Sequence, residues 1–169
     1  MINVAQFRAE IVRPALKAAD MWSEAAENLV LGTAVQESLL AWVRERGAGP
    51  ALGFYRMEPA AAHDICHRFL STRSELSMSL GKATWPHCVS PTGYSHLNKQ
   101  DIARLLVEDM RFATIMCRLR YWMMPHPLPA ATDIEGLSNY YKKWYNTVLG
   151  KATPGEWADK YRRFCMPEV

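Results

Sequence analysis

The segment that most constrains the fold is the long, largely apolar stretch that follows Ser23. Serine is a good helix N-cap, and Glu24 and Glu27 occupy the first turn, where the helix dipole favours negative charge. Residues three and four positions apart are neighbours on a helix surface, so one set of side chains shares a stripe. That set is Val30, Thr33, Ala34, Glu37 and Ala41. The pattern predicts a helix from about Glu24 to Val43, with Glu37 facing the interior or a cleft wall.

Similar periodicity and capping signals predict further helices over about 59–70, 98–121, 133–150 and 153–164. The clearest start is Thr153-Pro154-Gly155-Glu156, which combines a capping box with a proline at the first helical position. Residues 71–97 mix Ser, Thr, Gly, Pro and His with little periodicity, and we interpret them as a long irregular connection. Because strand patterns are nearly absent, the predicted fold class is mainly α.

Composition indicates one folded, soluble domain. The chain has 169 residues, 49% of them hydrophobic and 22% charged, which is ordinary for a globular protein. A formal charge of +3 without long runs of like charge predicts no nucleic-acid surface. The four cysteines show no CxxC pair, and neither a signal peptide nor an apolar run of spanning length is visible. We therefore expect synthesis in a reducing cytoplasm and no membrane insertion.

Glu37 is the strongest candidate for chemistry. A carboxyl group that protonates a glycosidic oxygen must stay neutral near its working pH, which requires an environment that disfavours the ionised form. No Lys or Arg lies within one helical turn before Glu37, and its neighbours are apolar: Val35, Leu39, Leu40 and Trp42. The structural alternative is a buried glutamate paired with an arginine such as Arg44 or Arg56.

A family resemblance supports the interpretation of Glu37 as a catalytic residue. Gln36-Glu37-Ser38, followed by Gly49-x-x-x-Gly53-Phe-Tyr-Arg-Met-Glu-Pro59-Ala, resembles the Glu-Ser and Gly-Leu-x-Gln-x-x-Pro-Ala-Thr motifs of the soluble lytic transglycosylases. These are lysozyme-like enzymes of bacteria and phages. The resemblance covers residues 29–62, and Tyr145-Asn146 loosely matches a later Tyr-Asn pair that lines the family's cleft. It implies a single lysozyme-like helical domain over 1–169, with a motif core at about 23–70, an irregular insertion at about 71–97 and C-terminal helices at about 98–165.

The resemblance also implies a site. Glu37 would protonate the oxygen between N-acetylmuramic acid and N-acetylglucosamine and then act as the base, giving a 1,6-anhydro product. The implied substrate-binding residues are Ser38, Gly53, Phe54, Tyr55, Arg56, Tyr145 and Asn146. No cofactor and no metal is expected. A hydrolase would need a second carboxylate, for which Glu58 and Asp64 are the candidates.

Two departures from the family pattern keep alternatives open. Arg56 stands where the family usually has glutamine, and the stretch before Tyr145-Asn146 is longer than usual, which suggests an insertion over the cleft. The first hypothesis is a phage-type enzyme that binds the peptidoglycan glycan strand, synthesised in the host cytoplasm and carried in the virion or released to the cell wall. The second is an inactive virion or assembly protein that contacts other phage structural proteins. The third is a helical protein-binding module.

Two other clusters have structural explanations that we favour. His63, Cys66 and His67 share a helical face, and His87 or Cys88 could complete a zinc site, but the spacing matches no strong zinc motif. Tyr140-Tyr-Lys-Lys-Trp-Tyr145 could stack on sugars or bases, although helical spacing places at least two of its four rings in the core.

Overall fold

The computed structural model describes residues 1–44, 49–89, 92–146 and 150–166. It is a single domain that is 65% helix, and no strand occurs in the described ranges. The α-helices are α1 Val4–Gln6, α2 Arg13–Ala18, α3 Glu24–Ser38, α4 Pro59–Asp64, α5 Ser74–Thr84, α6 Lys99–Glu108, α7 Met110–Trp122, α8 Ile134–Tyr141 and α9 Pro154–Phe164. Single π-helical turns follow α1, α4 and α8 at Phe7–Val12, Ile65–Phe69 and Lys142–Asn146, and a 3₁₀ turn spans Tyr94–His96. The predicted mainly α class is confirmed.

Helix α3 is the centre of the domain. Its predicted N-cap is confirmed, since Ser23 Oγ accepts a hydrogen bond from the Ala26 amide at 3.1 Å. Leu29, Val30 and Leu31 are all fully buried, so the helix is enclosed on more than one side. It packs against α7, α8 and α9 and against the π turn at Phe7–Val12. Helix α3 therefore fixes the position of any side chain at its end.

The contact between α3 and α9 depends on Gly32. A Cβ atom at this position would overlap the ring of Trp157, which is fully buried. We expect Gly32→Ala to lower the free energy of unfolding by about 1–3 kcal/mol, the usual cost of overpacking a dense core. Urea denaturation measures this change. The matched control is Gly155→Ala in the exposed first turn of α9, where space is open and alanine should be neutral or stabilising.

The predicted C-terminus of the central helix at Val43 is wrong. Helix α3 ends at Ser38, and Leu39 and Leu40 adopt left-handed φ values of 51° and 50°. Ser38 Oγ supports this end, because it donates to the Ala34 carbonyl at 3.0 Å and accepts from the Leu40 amide at 3.2 Å. Glu37 thus lies in the last turn of α3 rather than in the middle of a longer helix.

The predicted single helix over 98–121 is also wrong, because it is two helices that meet at Asp109. Asp109 has an extended backbone, with φ −116° and ψ 100°, and its Oδ1 caps α7 by accepting from the Phe112 amide at 2.9 Å. Its other oxygen accepts from Trp85 Nε1 at 3.0 Å. The hydrogen bond from a residue distant in sequence helps hold the break in place.

The irregular insertion predicted over 71–97 is wrong for its first half, which forms helix α5. Small residues permit this helix to pack closely: Ser77 Oγ and Ser95 Oγ lie 2.9 Å apart, and Gly81 faces the Thr92 carbonyl with no room for a side chain. Helix α5 contacts α2 and α7. It lies against the core instead of extending as a loop.

Other sequence predictions are confirmed. Helix α9 begins with the complete capping box of Thr153 and Glu156 and ends at Phe164. Of the aromatic run at 140–145, Tyr140, Tyr141 and Tyr145 are buried, as packing in the core requires. In the described residues, no helix combines the length and the apolar character that crossing a bilayer demands.

Candidate functional site

The glycine-rich segment forms a tight turn that faces the end of α3. Leu52 and Met57 exchange backbone hydrogen bonds of 3.0 and 3.1 Å, and the Gly53 amide donates to the Val43 carbonyl at 2.9 Å. Gly53 has a φ of 71°, and a side chain there would overlap the Leu106 carbonyl in α6. Only glycine satisfies both conditions without strain. The turn closes with Arg56, whose φ of 48° is also left-handed.

A pocket of about 470 Å³ lies between this turn, the end of α3 and the π turn after α8. It brings together four of the residues that the sequence predicted for a site: Glu37, Arg56, Tyr145 and Asn146. These residues come from three distant parts of the chain. The remaining lining residues are Met57, Glu58, Ala61, Arg120 and Gly150.

Glu37 is half-buried at one wall of the pocket. The hydroxyl of Tyr141 donates a hydrogen bond of 2.7 Å to Glu37 Oε1. Tyr141 is itself fully buried, and burial together with the neighbouring Glu37 raises the pKa of its hydroxyl far above the usual range. Tyr141 therefore remains a neutral donor that fixes the carboxyl group in one orientation.

Tyr145 and Asn146 join the opposite wall to the turn. The Tyr145 hydroxyl donates to the Tyr55 carbonyl at 2.8 Å, so the π turn is tied to the glycine-rich segment. Lys142 Nζ donates to Asn146 Oδ1 at 2.9 Å and to the Gly150 carbonyl at 2.7 Å. These bonds hold the amide of Asn146 at the pocket edge, where its side chain also hydrogen-bonds Tyr141.

Two arginines give the pocket a cationic wall. Arg120 Nη2 donates to the Tyr145 carbonyl at 3.1 Å, and its guanidinium carbon lies 5.1 Å from the centre of the Tyr145 ring. Arg120 Nε and Arg56 Nη1 are both buried without a hydrogen-bond partner among the described residues. A buried donor without an acceptor is costly, so oxygen atoms of a ligand would stabilise this wall.

Four other predicted binding residues are not among the lining residues. Ser38 is buried and shapes the end of α3, as described above, while Gly53 faces α6. Phe54 packs edge-on against Phe7, with ring centres 5.9 Å apart. Tyr55 is buried, and its hydroxyl lies 2.9 Å from Thr114 Oγ1. These residues support the pocket from behind.

Sequence reasoning missed the roles of Arg120 and Tyr141. Arg120 looked like one of several scattered helix cations, and its position depends on how α7 crosses the π turn. Tyr141 had a detectable signal, because it lies four residues before Tyr145 and such spacing places two side chains on neighbouring turns. Which of the aromatic residues in this run reaches Glu37 cannot be read from spacing alone.

The histidines and cysteine considered for zinc form a structural cluster. The rings of His63 and His67 stack with centres 4.2 Å apart, and His67 Nε2 donates to the Leu97 carbonyl at 2.6 Å. Cys66 is fully buried, and burial raises the pKa of its thiol to about 12. Within the described ranges, no three or more His, Cys, Asp or Glu side chains are arranged so that they could hold a metal ion.

Comparisons with protein-family models, characterised proteins and solved structures find no match to this chain.

Proposed function

We propose that this protein cleaves the glycan strands of peptidoglycan, with Glu37 as the acid. The observation that carries the proposal is the single pocket in which Glu37 meets Arg56, Tyr145 and Asn146. The two motifs and the Tyr-Asn pair lie far apart in the sequence, yet residues from all three line this cavity. Their convergence at a cavity large enough for a sugar unit favours one shared role.

The position of Glu37 suits proton transfer to a glycosidic oxygen. The hydrogen bond from Tyr141 fixes the carboxyl group of Glu37 at the wall of the pocket, where a bound glycan would place its glycosidic oxygen. In this mechanism Glu37 donates its proton to the leaving oxygen, and the resulting carboxylate removes a proton from the attacking hydroxyl. When that hydroxyl is the 6-hydroxyl of the same sugar, the product is a 1,6-anhydro ring.

Glu58 offers a different reaction in the same pocket. It is exposed, lies directly after the turn and lines the cavity with Glu37. If Glu58 activates water, the enzyme is a two-carboxylate hydrolase and its product carries a reducing end. Asp64 does not line this pocket but borders the neighbouring groove. Glu58 is therefore the better candidate for a second carboxylate.

The second candidate function, an inactive virion or assembly protein, is favoured by Arg56. A permanent cation replaces the neutral glutamine of the family motif, and it lines the same pocket as Glu37. Against this alternative, residues 71–97 contribute nothing to the described lining of the pocket, and α5 packs against α2 and α7. The described part of this segment therefore does not fill the cleft.

Incubation with purified peptidoglycan, followed by mass spectrometry of the soluble products, tests the proposal. We expect muropeptides that end in 1,6-anhydro-N-acetylmuramic acid. Products with a reducing end would support the hydrolase that uses Glu58. The absence of soluble products across pH 4–8 (a range chosen around the usual carboxyl and imidazole values) would contradict the proposal and favour the inactive protein.

A further inference from the structure

A second, larger cavity adjoins the Glu37 pocket. It is a groove of about 740 Å³ between the π turn at Ile65–Phe69, the end of α7 and the π turn after α8. We call it the basic groove, because its lining includes four cations, Arg68, Arg73, Arg120 and Lys143, together with the rings of Phe69 and Trp144. Asp64 is the single carboxylate in this lining.

Two cations of the basic groove donate to backbone carbonyls, Arg73 to Phe69 and Arg120 to Tyr145, but these bonds leave their charge unneutralised. Among the ion pairs of the described residues, none includes Arg68, Arg73, Arg120 or Lys143. Elsewhere, exposed arginines do pair with carboxylates, as Arg104 does with Asp101 and Glu108. The groove therefore concentrates uncompensated positive charge, which attracts an anionic ligand.

Aromatic rings lie directly beneath these cations. The Arg73 guanidinium is 4.1 Å from the centre of the Phe69 ring, and Lys143 Nζ is 4.6 Å from the centre of the Trp144 ring. Trp122 packs edge-on against Phe69 and is 44% exposed at the border of the groove. A ring beneath a cation attracts it electrostatically, so Phe69 and Trp144 hold these two charges in place, where they can pair with the anionic substituents of a ligand.

The basic groove and the Glu37 pocket adjoin each other and share part of their walls. Ala61 and Arg120 line both cavities, so the side chain of Arg120 stands at their junction. A strand that extends beyond one sugar at Glu37 would therefore enter the basic groove. The negative charges of the strand would then face the cations of the basic groove.

We propose that the basic groove binds the carboxylate-bearing part of an acidic glycan strand, so that the protein selects strands with acidic substituents over neutral ones of the same length. The identity of the ligand as a glycan rests on the proposed function. The selection itself rests on the four cations without a carboxylate partner, the rings beneath two of them and the wall that the two cavities share. In a glycan strand without stem peptides, N-acetylmuramic acid carries one such carboxylate on its lactoyl group.

Binding measured by calorimetry tests this assignment without cleavage. The probes are a hexasaccharide that alternates N-acetylglucosamine with N-acetylmuramic acid and a neutral hexasaccharide of N-acetylglucosamine. In the Glu37→Gln protein, we expect the acidic probe to bind at least about tenfold more tightly, the ratio expected from one good charge-assisted contact. The double variant Arg68→Ala and Lys143→Ala in the same background should reduce the ratio to near one.

The matched control removes two exposed cations outside the groove, Lys82→Ala and Lys99→Ala, and should preserve the preference. Equal binding of the two sugars, or a preference that survives the double variant, would overturn the assignment. It would also be overturned if a single-stranded oligonucleotide of the same charge bound more tightly than the acidic sugar and lost its affinity in the double variant.

The binding and cleavage experiments distinguish failure of this inference from failure of the proposed function. A preference for the acidic probe without any cleavage of peptidoglycan by the wild-type protein would reject the enzyme and keep the binding site. Cleavage of peptidoglycan without the preference would keep the enzyme and reject the role of the basic groove.

Discussion

Replacement of Glu37 by glutamine is expected to reduce the rate of peptidoglycan cleavage by about 10³-fold, within the range usual for loss of a general acid or base. Glutamine has nearly the same shape and can still accept the hydrogen bond from Tyr141. It cannot donate the proton that the leaving oxygen requires. The kcat for release of soluble muropeptides should fall, while Kd for the glycan should change little.

The matched control is Glu58→Gln. Glu58 lines the same pocket and is exposed, so its replacement tests whether any carboxylate in the pocket is sufficient. We expect a change of no more than about threefold, as for the loss of a weak binding contact. Full cleavage by the Glu37→Gln protein would refute the assigned acid. Equal losses in both variants would instead indicate the two-carboxylate hydrolase.

The largest expected effect on stability comes from Glu27, a buried carboxylate on α3. It is only 1% exposed and accepts hydrogen bonds from three side chains, Arg8 at 2.9 Å, Arg13 at 2.8 and 2.9 Å, and Trp22 at 2.7 Å. Arg8 also donates to Asn28 and to the Cys165 carbonyl, so the network joins the N-terminal helices, α3 and the end of α9. Removing its central charge leaves two arginines without their anion.

We expect Glu27→Gln to lower the free energy of unfolding at pH 7 by about 3–5 kcal/mol, as when one partner of a buried ion pair is removed. Urea denaturation provides the measurement. Glu135→Ala breaks the exposed pair between Glu135 and Arg162 and should cost less than about 1 kcal/mol. A loss below 1 kcal/mol for Glu27→Gln would show that the buried network contributes little.

The same residue predicts a pH dependence. Burial alone would raise the pKa of Glu27, but the hydrogen bonds from Arg13, Trp22 and Arg8 outweigh it and lower the pKa from 4.5 to about 2. Because the folded protein has the lower pKa, the stabilisation is complete above pH 4.5 and is lost as the pH falls toward 2. This contribution amounts to about 3 kcal/mol, and it should be absent from the pH profile of the Glu27→Gln protein.

The parts of the fold predicted from sequence were those fixed by local chemistry. Ser23 and the box of Thr153 and Glu156 start helices through side-chain hydrogen bonds. Pro59 starts one through its fixed φ, and all three starts are confirmed. The errors arose where distant residues decide the outcome. Trp85 donates a hydrogen bond to Asp109 at the break between α6 and α7. The Thr92 carbonyl lies against Gly81 in α5, where a side chain would not fit.

The residues of the candidate site were likewise predictable only where a local sequence motif includes them. The motifs identified Glu37, Arg56, Tyr145 and Asn146, which line one pocket. They did not identify Tyr141 or Arg120, because the positions of those two side chains depend on how α7 and α8 pack around α3. Nor did charge composition reveal the basic groove. A net charge of +3 hides a local cluster when the compensating carboxylates lie elsewhere on the surface.

A crystal structure of the Glu37→Gln protein with the acidic hexasaccharide would test most directly that the Glu37 pocket cuts an acidic glycan strand. A glycosidic oxygen should lie within about 3.2 Å of the side-chain amide at position 37, the reach required for proton transfer. The strand should continue past Arg120 into the basic groove. A strand bound with no glycosidic oxygen near position 37 would contradict the assignment of Glu37 as the acid.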